Sequence, residues 1–151
     1  VFKVELPLTH IDYKSKAAHL QFHRHVSTLE FQNMIVLLIE NDLDLQAALS
    51  ITLETWGIDV LTAASGSEAI ALLREIDITP DIILADYQLD NQETGTQSVK
   101  KLRDAFGPIP AAVITANRSK EVVESCNNLD LTLFYKPISP DSLKSFISTA
   151  L

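Results

Sequence analysis

The sequence predicts an α/β fold in which a five-stranded parallel sheet is covered on both faces by helices, and three observations predict it. After residue 34, short apolar runs such as MIVLLIE, DIILAD and AAVIT recur with few polar residues, as strands buried on both faces require. Each run is followed by a segment whose apolar residues fall at helical spacing. The connections are short, and alternating elements joined by right-handed crossovers build one doubly wound sheet with its ligands at the carboxyl ends of the strands.

Taken in order, residues 1–9, VFKVELPLT, alternate Phe2, Val4 and Leu6 with Lys3 and Glu5 until Pro7 stops the pattern. This reads as a single amphipathic strand, which cannot stand alone. Residues 10–33 carry Lys, His, Gln and Ser with a weak helical spacing and read as a connector. The first buried strand is expected in MIVLLIE, residues 34–40. Leu45, Ala48, Leu49, Thr52, Leu53 and Trp56 then recur at helical spacing, with Asp44 as the expected N-cap, Gly57 just past the end and Trp56 in the core.

IDVLTAA, residues 58–64, is the second strand, and Ser65 to Ser67 lead into a helix carrying Ala69, Ile70, Leu72 and Leu73, closed by Thr79-Pro80. DIILAD, residues 81–86, is the third strand. A polar loop from Tyr87 to Gly95 precedes a helix with Val99, Leu102 and Phe106 inward and a Gly107-Pro108 turn. AAVIT, residues 111–115, is the fourth strand, and Ser119 caps the helix after it. TLFY is the fifth strand, and Ser139-Pro140-Asp141 opens the last helix with proline at its first position.

The 151 residues, 46% hydrophobic and 21% charged, suffice for one domain with a buried core. Twelve Lys+Arg against 20 Asp+Glu give a formal charge of -8, which argues against nucleic acid or an anionic membrane as partner, because such binding draws on basic residues. The acidity lies in residues 34–151, with 17 acidic and 8 basic side chains, whereas residues 1–33 hold 3 acidic, 4 basic and all four histidines. With Cys126 as the single cysteine there is no intrachain disulfide, and the expected location is cytoplasmic. No apolar run is long enough to span a bilayer, and the first residues lack a signal-peptide plan. The chain starts at Val1 with its single methionine at Met34, so a piece of a larger protein is expected.

The strand ends hold the chemistry. The first ends in Glu40-Asn41-Asp42, the third in Asp86, the fourth in Thr115 and the fifth in Lys136-Pro137. No glycine-rich turn follows the first strand, which removes dinucleotide and P-loop sites. Two carboxylates about 4 Å apart repel by roughly 4 kcal/mol at an effective dielectric of 20, so Glu40 and Asp86 call for a divalent cation or a lysine. Mg²⁺ suits oxygen donors and keeps several waters, and Lys136 supplies a point charge for an anionic oxygen. Asp86 is then the candidate nucleophile towards phosphorus, with Mg²⁺, Lys136 and the Thr115 hydroxyl offsetting charge on the transferred group.

With these residues in place, residues 34–151 resemble a receiver domain of two-component response regulators, through VLLIEND, PDIILAD, VITAN and YKP in that order. The resemblance implies a flavodoxin-like (βα)5 fold with strand order 2-1-3-4-5. It makes Asp86 the phosphoacceptor and gives the metal Glu40, Asn41, Asp86 and the Gln88 backbone carbonyl, with Asp42 as a further candidate. It makes Thr115 the switch hydroxyl and Lys136 the lysine of the site, and implies a cis Lys136-Pro137 bond. The partners it implies are a histidine-kinase phosphohistidine domain, in cis or trans, or a phosphotransfer protein; a homodimer stays open.

Departures from the family pattern are informative. Asn41 stands where an aspartate is usual, which implies weaker Mg²⁺ binding. Leu133 stands where an aromatic residue usually moves with the threonine. The DYQLDNQETG loop is about one residue longer than usual and resembles the terminal receivers of hybrid histidine kinases, and VFKVELPL resembles the last strand of a histidine-kinase ATP-binding domain. The expected organisation is therefore 1–9 kinase strand, 10–33 linker and 34–151 receiver. The piece would be a phosphoacceptor with at most self-dephosphorylation, in a parent chain that is a hybrid sensor kinase and a transferase. The alternatives are a receiver-like binding module that no longer cycles phosphate and, ranked last because Gln88 replaces the usual second aspartate, an Asp-nucleophile hydrolase. His19 and His23 have zinc-capable spacing but no Cys or acidic cluster joins them, so they read as solvated linker histidines.

Overall fold

Strands that carry no alternation of polar and apolar residues must be covered on both faces, and the three expected to be so are the central strands of the sheet. The computed structural model describes residues 31–150. Its elements are β1 (Ile35–Ile39), α1 (Leu43–Thr55), β2 (Asp59–Ala63), α2 (Gly66–Ile76), β3 (Ile82–Asp86), α3 (Gly95–Phe106), β4 (Ala111–Thr115), α4 (Lys120–Asn128), β5 (Thr132–Tyr135) and α5 (Pro140–Thr149). The five strands pair in parallel in the order β2-β1-β3-β4-β5, which is the flavodoxin-like topology expected. The expected strand at 1–9, the connector up to residue 30 and the four histidines lie outside the described residues.

Side chains alternate across a strand, and the sheet therefore feeds two cores. Leu37, Ile39, Ile83, Ala85 and Val113 face one side, where Ala69 and Leu73 of α2, Val99 and Leu102 of α3, and Val122 and Cys126 of α4 cover them. Val36, Leu38, Ile82, Leu84 and Ala112 face the other, under Leu53 of α1 and Leu143 and Ile147 of α5. Full burial of such a side chain contributes about 1.5–3 kcal/mol. The edge strands β2 and β5 are only partly covered.

Serine and threonine N-caps start the helices: Ser65 for α2, Thr94 for α3, Ser119 for α4 and Ser139 for α5, where Pro140 takes the first turn. Thr94 and Gln97 complete a capping box. Three expectations are corrected. The cap of α1 is Asp42 rather than Asp44: its carboxylate accepts from the amides of Asp44 at 3.0 Å and Leu45 at 3.2 Å. Helix α2 ends earlier than Thr79-Pro80, at Asp77 in the left-handed conformation with φ 55°. The Tyr87–Gly95 loop is not wholly polar, because Tyr87 and Leu89 are buried in the first core.

Helix α1 also differs from expectation in its facing. Leu53 is its buried residue, Leu45 is 42% exposed, and Leu43 and Ile51 are more so. Trp56 is half-buried against the second core. Phe31, placed by its sequence in the connector, is 1% exposed and packs on Trp56 with ring centroids 6.5 Å apart.

Candidate functional site

Parallel strands bring their carboxyl ends to one edge, and there the sheet buries polar side chains. Glu40 follows β1 and is 3% exposed, Asp86 ends β3 at 8%, and Thr115 ends β4 at 2%. Lys136 follows β5 and is half-buried, its amide donating to the Thr115 carbonyl at 2.9 Å so that the ends of β4 and β5 are joined. Its ammonium lies 3.2 Å from Asp86 Oδ1 and 3.9 Å from Glu40 Oε2. The Lys136-Pro137 bond is cis.

Glu40 is held by the chain around it. Its Oε1 accepts from the Asp42 amide at 2.9 Å, and its carbonyl accepts from Gln46 Nε2 at 2.9 Å. Burial, with the charges of Asp86 and Asp42, pushes its pKa above the usual carboxylate value, against the opposing effect of the Asp42 amide and Lys136. A cation brought to this edge would act in the same sense as Lys136.

The Thr115 hydroxyl accepts from the Asn117 amide at 2.9 Å, which leaves its own proton free to donate. Gly95 opens α3 directly beside Asp86, donating to the Tyr87 carbonyl at 2.8 Å. A Cβ there would clash with the Asp86 carbonyl oxygen, so only glycine lets the helix start approach this closely. Gln88 bridges to Thr94 across the loop. Asn41 is half-buried, and Asp42 is exposed with Oδ1 engaged by the α1 cap. Leu133 packs half-buried against the first core.

The donors that the resemblance assigns to a metal are all hard oxygens: the Glu40 and Asp86 carboxylates, the Gln88 carbonyl and the Asn41 amide. Among the described residues no three His, Cys, Asp or Glu side chains gather as a metal cluster. Two carboxylates plus neutral oxygens, with waters completing the shell, fit Mg²⁺ better than a metal that needs a full protein cage.

Sequence reasoning missed Arg118, whose guanidinium lies 4.1 Å over the Tyr135 ring centroid. Period two on β5 could have found the ring, because Tyr135 shares the strand face of Leu133.

The chain belongs to the response regulator receiver domain family, whose model matches residues 36–148. It is 28% identical over 120 residues to the transcriptional regulatory protein ZraR of Escherichia coli K12, covering 79% of this chain and 26% of the relative. To GlrR of the same organism, also a transcriptional regulatory protein, it is 26% identical over 117 residues, 77% of this chain and 26% of that one. The chain thus spans about a quarter of the length of these curated relatives. Among solved structures it is similar to the receiver domain of a modulated diguanylate cyclase from Desulfovibrio desulfuricans G20, with TM-score 0.68, 29% identity, and 77% and 91% of the two chains covered. Vibrio cholerae CheY4 matches with TM-score 0.69 and 26% identity over 78% and 98%. The molecule is a receiver domain of two-component systems, and no described helix is long and apolar enough to cross a membrane.

Proposed function

We propose that Asp86 is the phosphoacceptor, taking a phosphoryl group from a phosphohistidine with Mg²⁺. The observation that carries the reading is the Lys136 ammonium 3.2 Å from the buried Asp86 carboxylate, with Glu40 and Thr115 at adjoining strand ends. An Asp86 carboxylate oxygen attacks phosphorus, the P–N bond to the donor imidazole breaks, and the imidazole leaves with that electron pair and a proton from solvent. Lys136 neutralises the anionic oxygens as they gather charge, and the Thr115 hydroxyl donates to one of them. Glu40, Asn41, the Gln88 carbonyl and Asp86 itself would hold Mg²⁺, which supplies further neutralisation of the phosphoryl oxygens.

The context we propose is a hybrid sensor histidine kinase, in the cytoplasm, with the receiver regulating the kinase or passing phosphate to a phosphotransfer protein. The DYQLDNQETG loop supports it. A histidine box and ATP-binding boxes in frame upstream of Val1 are the expected finding, and a start codon near Val1 would overturn it.

Phosphorylation by a small phosphodonor tests the site. The expected product is a hydroxylamine-sensitive acyl phosphate that forms with Mg²⁺ and is lost in EDTA. A folded protein that takes no label would instead support a binding module without phosphoryl transfer, the reading that Asn41 in an acidic position favours.

A further inference from the structure

We infer that Arg118 is a positioning residue for phosphoryl transfer: stacked on Tyr135, it fastens the turn that holds the Thr115 hydroxyl to the strand end that carries Lys136. The inference rests on Asp86 being the phosphoacceptor.

Residues 116–119, between β4 and α4, are all exposed. Within this turn the bonds shown are local: the Asn117 amide donates to Thr115 Oγ1, and the Ser119 amide donates to Asn117 Oδ1, both at 2.9 Å. Such bonds shape a turn but do not fix it against the next strand. Arg118 does, because its guanidinium lies 4.1 Å from the centroid of the Tyr135 ring on β5. Phe134 points to the opposite side of that strand and packs edge-on against Phe146 in the second core, so alternation directs Tyr135 towards the side of the turn.

Thr115 and Lys136 are the two donors that the proposed transfer uses at this edge. Their backbones are already linked by the Lys136 amide and Thr115 carbonyl. The stack adds a second link, from the turn that orients the Thr115 hydroxyl to the residue immediately before Lys136. Reaction rate depends steeply on how well such donors are held. A planar guanidinium stacks on a ring in a way an ammonium does not, so the identity of Arg118 matters as well as its charge.

The test is the rate of Asp86 labelling by a small phosphodonor at saturating Mg²⁺, with folding of each variant confirmed by its unfolding midpoint. Arg118→Met and Tyr135→Leu should each slow labelling about two- to fivefold, the range an exposed cation–π contact supports. The double variant should be no slower than either alone, and the Mg²⁺ affinity should not change. Tyr135→Phe, which keeps the ring, should retain the rate, and Arg118→Lys should recover part of it. The decisive readout is the Thr115→Ala background, where Arg118→Met should cost nothing further, because the hydroxyl it positions is gone. An unchanged rate in Arg118→Met, or the same slowing with Thr115 removed, would overturn the inference while leaving Asp86 as acceptor. A wild-type protein that takes no label would overturn the acceptor reading, and this inference with it.

Discussion

The two ends of the sheet use charged side chains differently. At the amino ends, Arg103 donates to the carbonyls of Ile109 and Leu129, just ahead of β4 and β5, and Asp81 accepts from the Ile35 amide at 2.8 Å. Those charges are spent on backbone groups that the sheet leaves unpaired. At the carboxyl ends, Asp86 meets the Lys136 ammonium and Glu40 crowds the same cation. One end is polar in order to close the fold; the other sets its charges against one another, where the proposed function would bring the reactant.

That contrast can be broken by mutation at either end. The largest effect is expected for Lys136→Met, which removes the cation beside Asp86 and should slow phosphodonor labelling about 100-fold, the scale of losing one preorganised donor. Stopped-flow or radiolabel time courses at fixed Mg²⁺ would measure it. Next, Arg103→Met at the opposite end should lower stability by about 2 kcal/mol in urea unfolding, because two carbonyls lose their partner, while labelling stays within about twofold. A labelling defect as large as that of Lys136→Met would dissolve the distinction between the two ends.

Thr115→Val should be milder than Lys136→Met. It removes a neutral donor of about 1 kcal/mol, and labelling should fall several-fold, with a small drop in the unfolding midpoint because the Asn117 amide loses its acceptor.

The smallest effect expected is in the pH dependence. Glu40 in the folded chain has a pKa above its ordinary 4.5, so around that pH the folded state binds more protons than the unfolded one. Its contribution is therefore fully present below 4.5 and is lost as pH rises through the raised value. In EDTA, urea midpoints measured upward from that pH should fall for the wild type and fall less for Glu40→Gln. On the proposed function the carboxylate form would hold Mg²⁺, and added Mg²⁺ should then offset the loss in the wild type.

Much of this was legible in the sequence because strands buried on both faces are apolar throughout. IVLLI, IILAD and AAVIT declare themselves, and the residue that ends each run is set at the site edge by parallel pairing. Glu40, Asp86, Thr115 and Lys136 could therefore be placed together without coordinates. Helix α1 was harder. Leu43, Leu45 and Ile51 lie around its circumference as well as Leu53, so periodicity could not say which side faces the sheet. Tyr87 and Leu89 were hidden by the polar residues around them, since a loop has no period to expose an inserted side chain. Arg118 on Tyr135 joins residues from two separate connections, a pairing that spacing along one segment cannot reveal.

The central claim is that Asp86 takes the phosphoryl group, and trapping the acyl phosphate with borohydride after phosphodonor treatment, followed by peptide mapping, tests it most directly. A single modified residue at Asp86, dependent on Mg²⁺ and absent from folded Asp86→Asn, is the predicted result. Modification at another residue, or equal labelling of Asp86→Asn, would contradict it.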